Sequence, residues 1–273
     1  MVHAFRPFFA LALFLLPGAC ANLNFYSDDE LNKLGVEAYA ESTKEHPEIK
    51  SGAQYEMVQR VGRKIAAASE ENFEWEFKLL KADDTPNAFC LPGGKVAIYT
   101  GILPLTENEN GLAAVMGHEV AHAILRHGGK RMSQNMVAGG LLSAVQAGMG
   151  MAAMGEQTQQ MTMAVLGGAA KVGVLLPFSR DHETEADVEG LRYAIRAGYD
   201  PEEAPRLWER MAKLGGSDTP SWLSTHPASE ERAANLRKLI PQLREQEKGW
   251  KPKPPPATPG APTKKVDPGA VGR

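Results

Sequence analysis

The chain has 273 residues, 43% of them apolar and 23% charged, which suits one globular domain with a real core and argues against disorder throughout. Its 30 basic and 33 acidic residues give a formal charge of -3 and no broad basic footprint, so a nucleic-acid partner is set aside. Only two cysteines are present, Cys20 and Cys90, and a disulfide framework is excluded.

Residues 1–20 read as a targeting segment, because His3 and Arg6 precede an apolar run from Phe8 to Leu16 that Pro17 and Gly18 break. The run is too short to span a bilayer. Two processing routes are open: lipid attachment at Cys20 after Gly18-Ala19, or ordinary cleavage after Ala19-Cys20-Ala21. A small-small-Cys sequence favours the first, while Pro17 stands where a lipoprotein signal usually has an aliphatic residue. Cys90, between Phe89 and Leu91, reads as a small buried hydrophobe.

A folded domain is expected over 27–246. Ser27-Asp28-Asp29-Glu30 has capping-box spacing and opens a helix through Leu31, Leu34, Val36 and Tyr39. A second helix runs from Gln54 to Ala68 on Val58, Val61 and Ile65. Trp75 to Leu80 alternate as a strand, and Asn87 to Ile102 make two short strands around Pro92-Gly93-Gly94. Thr106-x-x-Glu109 then caps a helix bearing Leu112, Val115, His118, His122 and Leu125, which Gly128-Gly129 stops.

The stretch 132–178 is rich in Gly, Ala and Met, and neither half of it is a convincing membrane span. It reads either as two small-residue helices over the active-site helix or as a hydrophobic lid that touches a membrane. Further helices are expected from Arg180 to Arg196 with Gly198 as the stop, after Asp200-Pro201-Glu202-Glu203, and after His226-Pro227. The Pro-rich tail over 247–273 cannot bury enough apolar surface to fold. The fold class is therefore α+β, mainly helical with a small β-sheet.

His118-Glu119-Val120-Ala121-His122 matches H-E-x-x-H, and a four-residue separation puts both imidazoles on one helix face, where they can chelate zinc. Ala114, Val115, Val120, Ala121 and Ile124 make this helix apolar, and titratable groups buried in such a helix need partners that a metal supplies. Glu119 then stands as the general base. A catalytic zinc takes three protein ligands and keeps one open position. Glu183 is the best third ligand, with Asp187 one turn on accepting the free N–H of a ligand histidine. Glu185 and Glu189 read as solvated surface. His127, five residues beyond His122, reads as a helix C-terminal cation turned away from the metal, and His182 and His46 as surface residues.

These residues resemble the HtpX and BepA-like zinc metallopeptidases, to which the Ste-type CAAX prenyl proteases are related. The resemblance covers Asp28 to Arg237 and rests on Asn87 to Gly94, the His118 to His122 pentapeptide, Ser179-Arg180 with Glu183 and Asp187, and Ser224-Thr225-His226-Pro227 with Arg232. It implies a zincin-type domain with one zinc per chain, polypeptide substrates, and the same roles for Glu183 and Asp187. It also implies that His226 and Arg232 lie near the metal as oxyanion-stabilising groups, and that His226 is a candidate latch on the open zinc position. The strand Gly94, Lys95, Val96, Ala97, Ile98 and Tyr99 matches the family's edge strand for extended substrates. Cys90 departs from the small apolar residue that is common there. The periplasmic branch is implied, anchored at the outer membrane if Cys20 is lipidated, with misfolded envelope proteins as substrates. The rival reading is an envelope chaperone or assembly factor whose zinc site is structural or permanently latched by His226.

Overall fold

The computed structural model describes residues 23–148, 178–214, 220–227 and 229–251. The targeting segment with Cys20, most of the 132–178 stretch and the tail beyond 251 lie outside the described residues.

Helix α1 (Asp28–Ser42) starts on the expected capping box: Glu30 N donates to Ser27 Oγ at 3.3 Å, and Ser27 N donates back to the Glu30 carboxylate at 2.8 Å. Helix α2 (Ala53–Ser69) buries Val58, Val61 and Ile65 completely. The strands β1 (Glu48–Ile49), β2 (Glu76–Leu80), β3 (Ala88–Leu91) and β4 (Lys95–Tyr99) form one sheet in the order β1-β2-β4-β3. β2 and β4 are parallel, with Phe77 opposite Val96, while β3 returns antiparallel to β4 with Cys90 opposite Val96. Gly93 and Gly94, at φ 81° and 80°, make that return.

The topology corrects one expectation. β4 is an interior strand with neighbours on both sides and every residue buried, so 94–99 has no free main-chain edge for a substrate. Among the described residues the sheet's edges are the two-residue β1 and, on the side of β4, β3. Sequence shows the 88–99 hairpin but not the parallel crossover that brings β2 alongside β4, and a two-residue β1 is too short to carry a period.

A 3-10 turn at Thr100–Ile102 leads into the short α3 (Leu103–Thr106) and then α4 (Glu109–Ile124). Thr106 is not the cap of α4, because its hydroxyl donates to Leu103 O and Glu107 breaks the chain at φ 60°. Asn108 caps instead, accepting from Asn110 N at 2.8 Å and Gly111 N at 3.2 Å. Nor do Gly128-Gly129 stop α4. Arg126 ends the helix in the left-handed region at φ 58°, and both glycines lie in the first turn of α5 (His127–Gly148).

Helix α6 (Arg180–Arg196) is capped by Ser179 and followed by Gly198 at φ 80°, as expected. Then come α7 (Glu203–Ala212), the five-residue α8 (Ser221–Thr225) and α9 (Glu230–Gln246). The packed unit runs past Gln246: Glu247 is clamped by Arg192 and Arg196, and Trp250 packs against the core, so residues 247–250 belong with the folded unit and not with the tail expected from 247. Among the described residues no helix is long and apolar enough to cross a membrane.

α4 runs through the centre of the core, with the sheet on one side and α6 on the other. α4 and α6 meet at two glycines. A Cβ on Gly117 would stand 2.7 Å from Gly190 O, and one on Gly190 would stand 2.7 Å from His118 N, so only glycine permits this approach. That approach brings the carboxylates of α6 to the histidines of α4.

Candidate metal centre

His118 and His122 point from the same face of α4, and both are 3% exposed. Glu183, from the first turn of α6, places Oε2 3.4 Å from His118 Nε2 and Oε1 3.4 Å from His122 Nε2. The two Nε2 atoms are 3.0 Å apart. His226, just after α8, brings Nδ1 to 3.0 Å from Glu183 Oε1 and 3.3 Å from His118 Nε2. One ligand atom from each of these four residues lies within 4.8 Å of all the others. Ligands held ~2.0–2.2 Å from a tetrahedral zinc are separated by ~3.3–3.5 Å, so this donor set fits the ion.

The electrostatics carry the same sign. Burial pulls His118 down, but hydrogen bonds to Asp187 and Glu183 outweigh it and carry the imidazole to about 9. Burial holds His122 well below the usual histidine range. Burial alone would raise Glu183, yet hydrogen bonds from His118, His122 and His226 hold it far below an ordinary carboxylate. Four buried polar groups that need a cation among them are met by a divalent metal.

Asp187 takes the position expected of it, its Oδ1 3.1 Å from His118 Nδ1. Arg232 also reaches the cluster and turns most of its contacts to the carboxylates. Nε and Nη2 fork onto Asp187 at 2.8 and 2.7 Å, and Nη1 meets Glu183 Oε2 at 2.7 Å and Pro227 O at 2.9 Å. Its guanidinium lies 3.5 Å over the Trp208 ring. Arg232 thus forks onto Asp187 and lies against Glu183 at the edge of the cluster.

Glu119 sits beside the cluster, with Oε1 3.4 Å from His226 Nε2 and accepting the Trp222 indole N–H at 2.6 Å. Sequence reasoning missed Trp222, since nothing in its spacing marks it as a partner of a carboxylate a hundred residues away. It also misplaced His127, which is fully buried. The turn at Arg126 folds it back under His122, so that their Nδ1 atoms are 3.0 Å apart and its Nε2 lies 3.0 Å from Glu185 Oε2. Burial depresses His127 to about 4, so it is a neutral imidazole and not a helix-end cation. His182 is likewise buried, stacked on His127 at 4.4 Å between ring centroids. His46 is half-buried with its ring edge-on to Tyr99, and Cys90 is buried as expected, its thiol pushed well up by burial.

A cleft opens on the site. Glu119, His122 and His226 line its floor, Leu31, Leu34 and Phe178 its apolar sides, and β3 from Ala88 to Leu91 runs along it.

A buried histidine pair, a carboxylate from a second helix and an acidic residue next to the first histidine define a zincin-type metal centre. The sequence profile of Peptidase family M48 matches residues 52–240, and the chain belongs to that family. It is 37% identical over 188 residues to the mitochondrial metalloendopeptidase OMA1 of Schizosaccharomyces pombe, covering 68% of this chain and 52% of the relative. The Saccharomyces cerevisiae protein of the same name is 37% identical over 189 residues, 64% of this chain and 50% of that one. The β-barrel assembly-enhancing protease of Escherichia coli is 31% identical over 186 residues, 67% of this chain and 38% of the relative. The chain thus matches about half the length of the fungal relatives and less of the bacterial one.

Proposed function

We propose that this chain is a zinc-dependent endopeptidase that cleaves misfolded or misassembled proteins of the cell envelope. The observation that carries the reading is the convergence of His118, His122 and Glu183 donors, with His122 and the Glu119 carboxylate lining an open cleft. His118, His122 and Glu183 are the protein ligands. Zinc bound there would supply a Lewis acid and lower the pKa of a bound water toward neutrality.

The chain's own residues do the rest. Glu119 accepts the proton of the attacking water and returns it to the leaving amine. The indole N–H of Trp222 fixes Oε1 and leaves Oε2 for that transfer. Asp187, with Oδ1 3.1 Å from His118 Nδ1, orients that imidazole, and Arg232 holds Asp187 ionised by a two-point contact and lies against Glu183. An extended substrate adds to the free edge of β3 through main-chain hydrogen bonds, with side chains in the apolar cleft.

The envelope location is supported by the apolar Phe8 to Leu16 run followed by Gly18-Ala19-Cys20, a candidate lipidation sequence, and by the name of the Escherichia coli relative, a β-barrel assembly-enhancing protease. The test of the activity is bound zinc by elemental analysis together with casein cleavage. Wild type holding about one zinc and cutting, Glu119→Gln holding zinc without cutting, and Glu183→Ala losing the metal is the expected set. Zinc-dependent cleavage that persists in Glu119→Gln overturns the assignment.

A second reading, a latched protease or an assembly factor of low activity, is favoured by one observation. His226 Nδ1 lies within hydrogen-bond distance of Glu183 and against His118, where a substrate oxygen would have to enter.

A further inference from the structure

His118 has a carboxylate on its outer nitrogen, and His122 has something different there. The His122 Nε2 faces the cluster, so its lone pair is available to a metal only when the ring proton sits on Nδ1. That Nδ1 is 3.0 Å from His127 Nδ1, which must then accept and carry its own proton on Nε2. His127 Nε2 is in turn 3.0 Å from Glu185 Oε2, an acceptor that takes a proton from nothing but a donor. Reading inward from the carboxylate, each nitrogen has one role, and the tautomer of His122 is set.

We infer that His127 and Glu185 are positioning residues for the zinc, a two-step relay that fixes the tautomer and ring orientation of His122. The relay is the counterpart of the direct contact between Asp187 and His118, with an imidazole interposed. Asp187 can touch its histidine because it rides on α6 one turn beyond Glu183, inside the core. Glu185 lies on the other side of α6 with its side chain half exposed, and it reaches His122 only through the ring that the left-handed Arg126 turns back. The groups that face the relay are Lys130, its Nζ 3.9 Å from Glu185 Oε2, the His182 ring stacked on His127, and Phe178 against His122 at 4.0 Å. Ring packing fixes the planes, and the hydrogen bonds fix the protons.

The inference rests on the zinc reading above, and zinc affinity separates the two. Affinity is measured by competition with a chromophoric chelator for wild type, His127→Leu, His127→Asn and Glu185→Gln, with circular dichroism of the metal-free proteins alongside. Loss of an outer hydrogen-bond partner typically weakens a metal site 10–100-fold, and about that loss is expected in His127→Leu. His127→Asn places an amide oxygen near the Nδ1 position and is expected to recover most of it. Glu185→Gln, at a half-exposed site whose change does not threaten the fold, is expected to weaken zinc by about 3–10-fold. Wild-type affinity in both His127→Leu and Glu185→Gln overturns the relay, and so does His127→Asn binding no better than His127→Leu, which marks a packing role. A wild type that binds no zinc overturns the metal reading itself.

Discussion

The indole N–H of Trp222 donates to Glu119 Oε1 at 2.6 Å, and the same indole is stacked on Trp208 at 5.0 Å between ring centroids. Glu119, the proposed general base, is thereby held by a fully buried residue of the short helix that His226 directly follows. Trp222→Phe keeps the stack and removes the donor. Cleavage is expected to fall about ten-fold in kcat, the equivalent of ~1.4 kcal/mol, with KM and zinc content unchanged. Steady-state kinetics on a fluorogenic peptide decide it, and an unchanged kcat would show that the contact is structural only.

The contact between Gly117 and Gly190 makes the metal site depend on a helix crossing. Gly190→Ala puts a Cβ 2.7 Å from His118 N, which forces α6 away from α4, and Glu183 and Asp187 travel with it. A loss of ~1–3 kcal/mol of stability is expected together with weaker zinc binding. Gly198→Ala is the comparison, since its Cβ would meet open space and only the φ of 80° is strained. That variant should lose ~1 kcal/mol and bind zinc as wild type does. Equal zinc loss in both variants would mean that the crossing has no special hold on the site.

This crossing explains what was legible in the sequence and what was not. The four-residue spacings in α4 and α6 name His118, His122, Glu183 and Asp187, because ligands on one helix face follow from the helix period alone. The capping of α1 by Ser27 and the stop at Gly198 are equally local. What failed depends on contacts distant in sequence or on a single backbone torsion. The interior position of β4 is set by a parallel partner, β2, reached through a crossover. The burial of His127 is set by Arg126, a non-glycine residue in the left-handed region that no periodicity announces. Arg232, placed near the metal by resemblance, does reach the cluster, but which atoms of Asp187 and Glu183 it meets depends on the packing of α9 on α6 and not on spacing.

Metal removal should expose the proton that His118 gains in place of zinc. Its folded value of about 9 lies above the unfolded ~6.5, so the stabilisation is complete below pH ~6.5 and is lost as pH rises toward 9. His122 and His127 are depressed, so their penalty applies at lower pH and is gone above pH ~6.5. Glu183 and Asp187 are also depressed, and their contribution, lost only in acid, is constant through this window. Chelator-treated protein is therefore expected to lose about 1 kcal/mol between pH 6.5 and 8, by urea denaturation. Zinc-loaded protein should show no such loss, because the metal competes with protons and binds better as pH rises. A metal-free stability that is flat or rising over this range would contradict the His118–Asp187 geometry.

His226 decides between an open and a latched protease. Its Nδ1 stands 3.3 Å from His118 Nε2 and its Nε2 3.4 Å from Glu119 Oε1, so one ring lies against both a proposed ligand atom and the proposed base. Entry of a substrate carbonyl requires the ring to leave, and the cost of that departure is paid before any chemistry. Removing the ring in His226→Ala abolishes this cost but also removes a donor that an oxyanion would use. If latching dominates, casein cleavage rises several-fold, with zinc still bound through His118, His122 and Glu183. If the oxyanion role dominates, kcat falls by about 10²–10³-fold, the usual loss for one such donor, and KM changes little. The first outcome is expected, since the ring lies on the ligand atoms themselves and its Nδ1 is already bonded to Glu183.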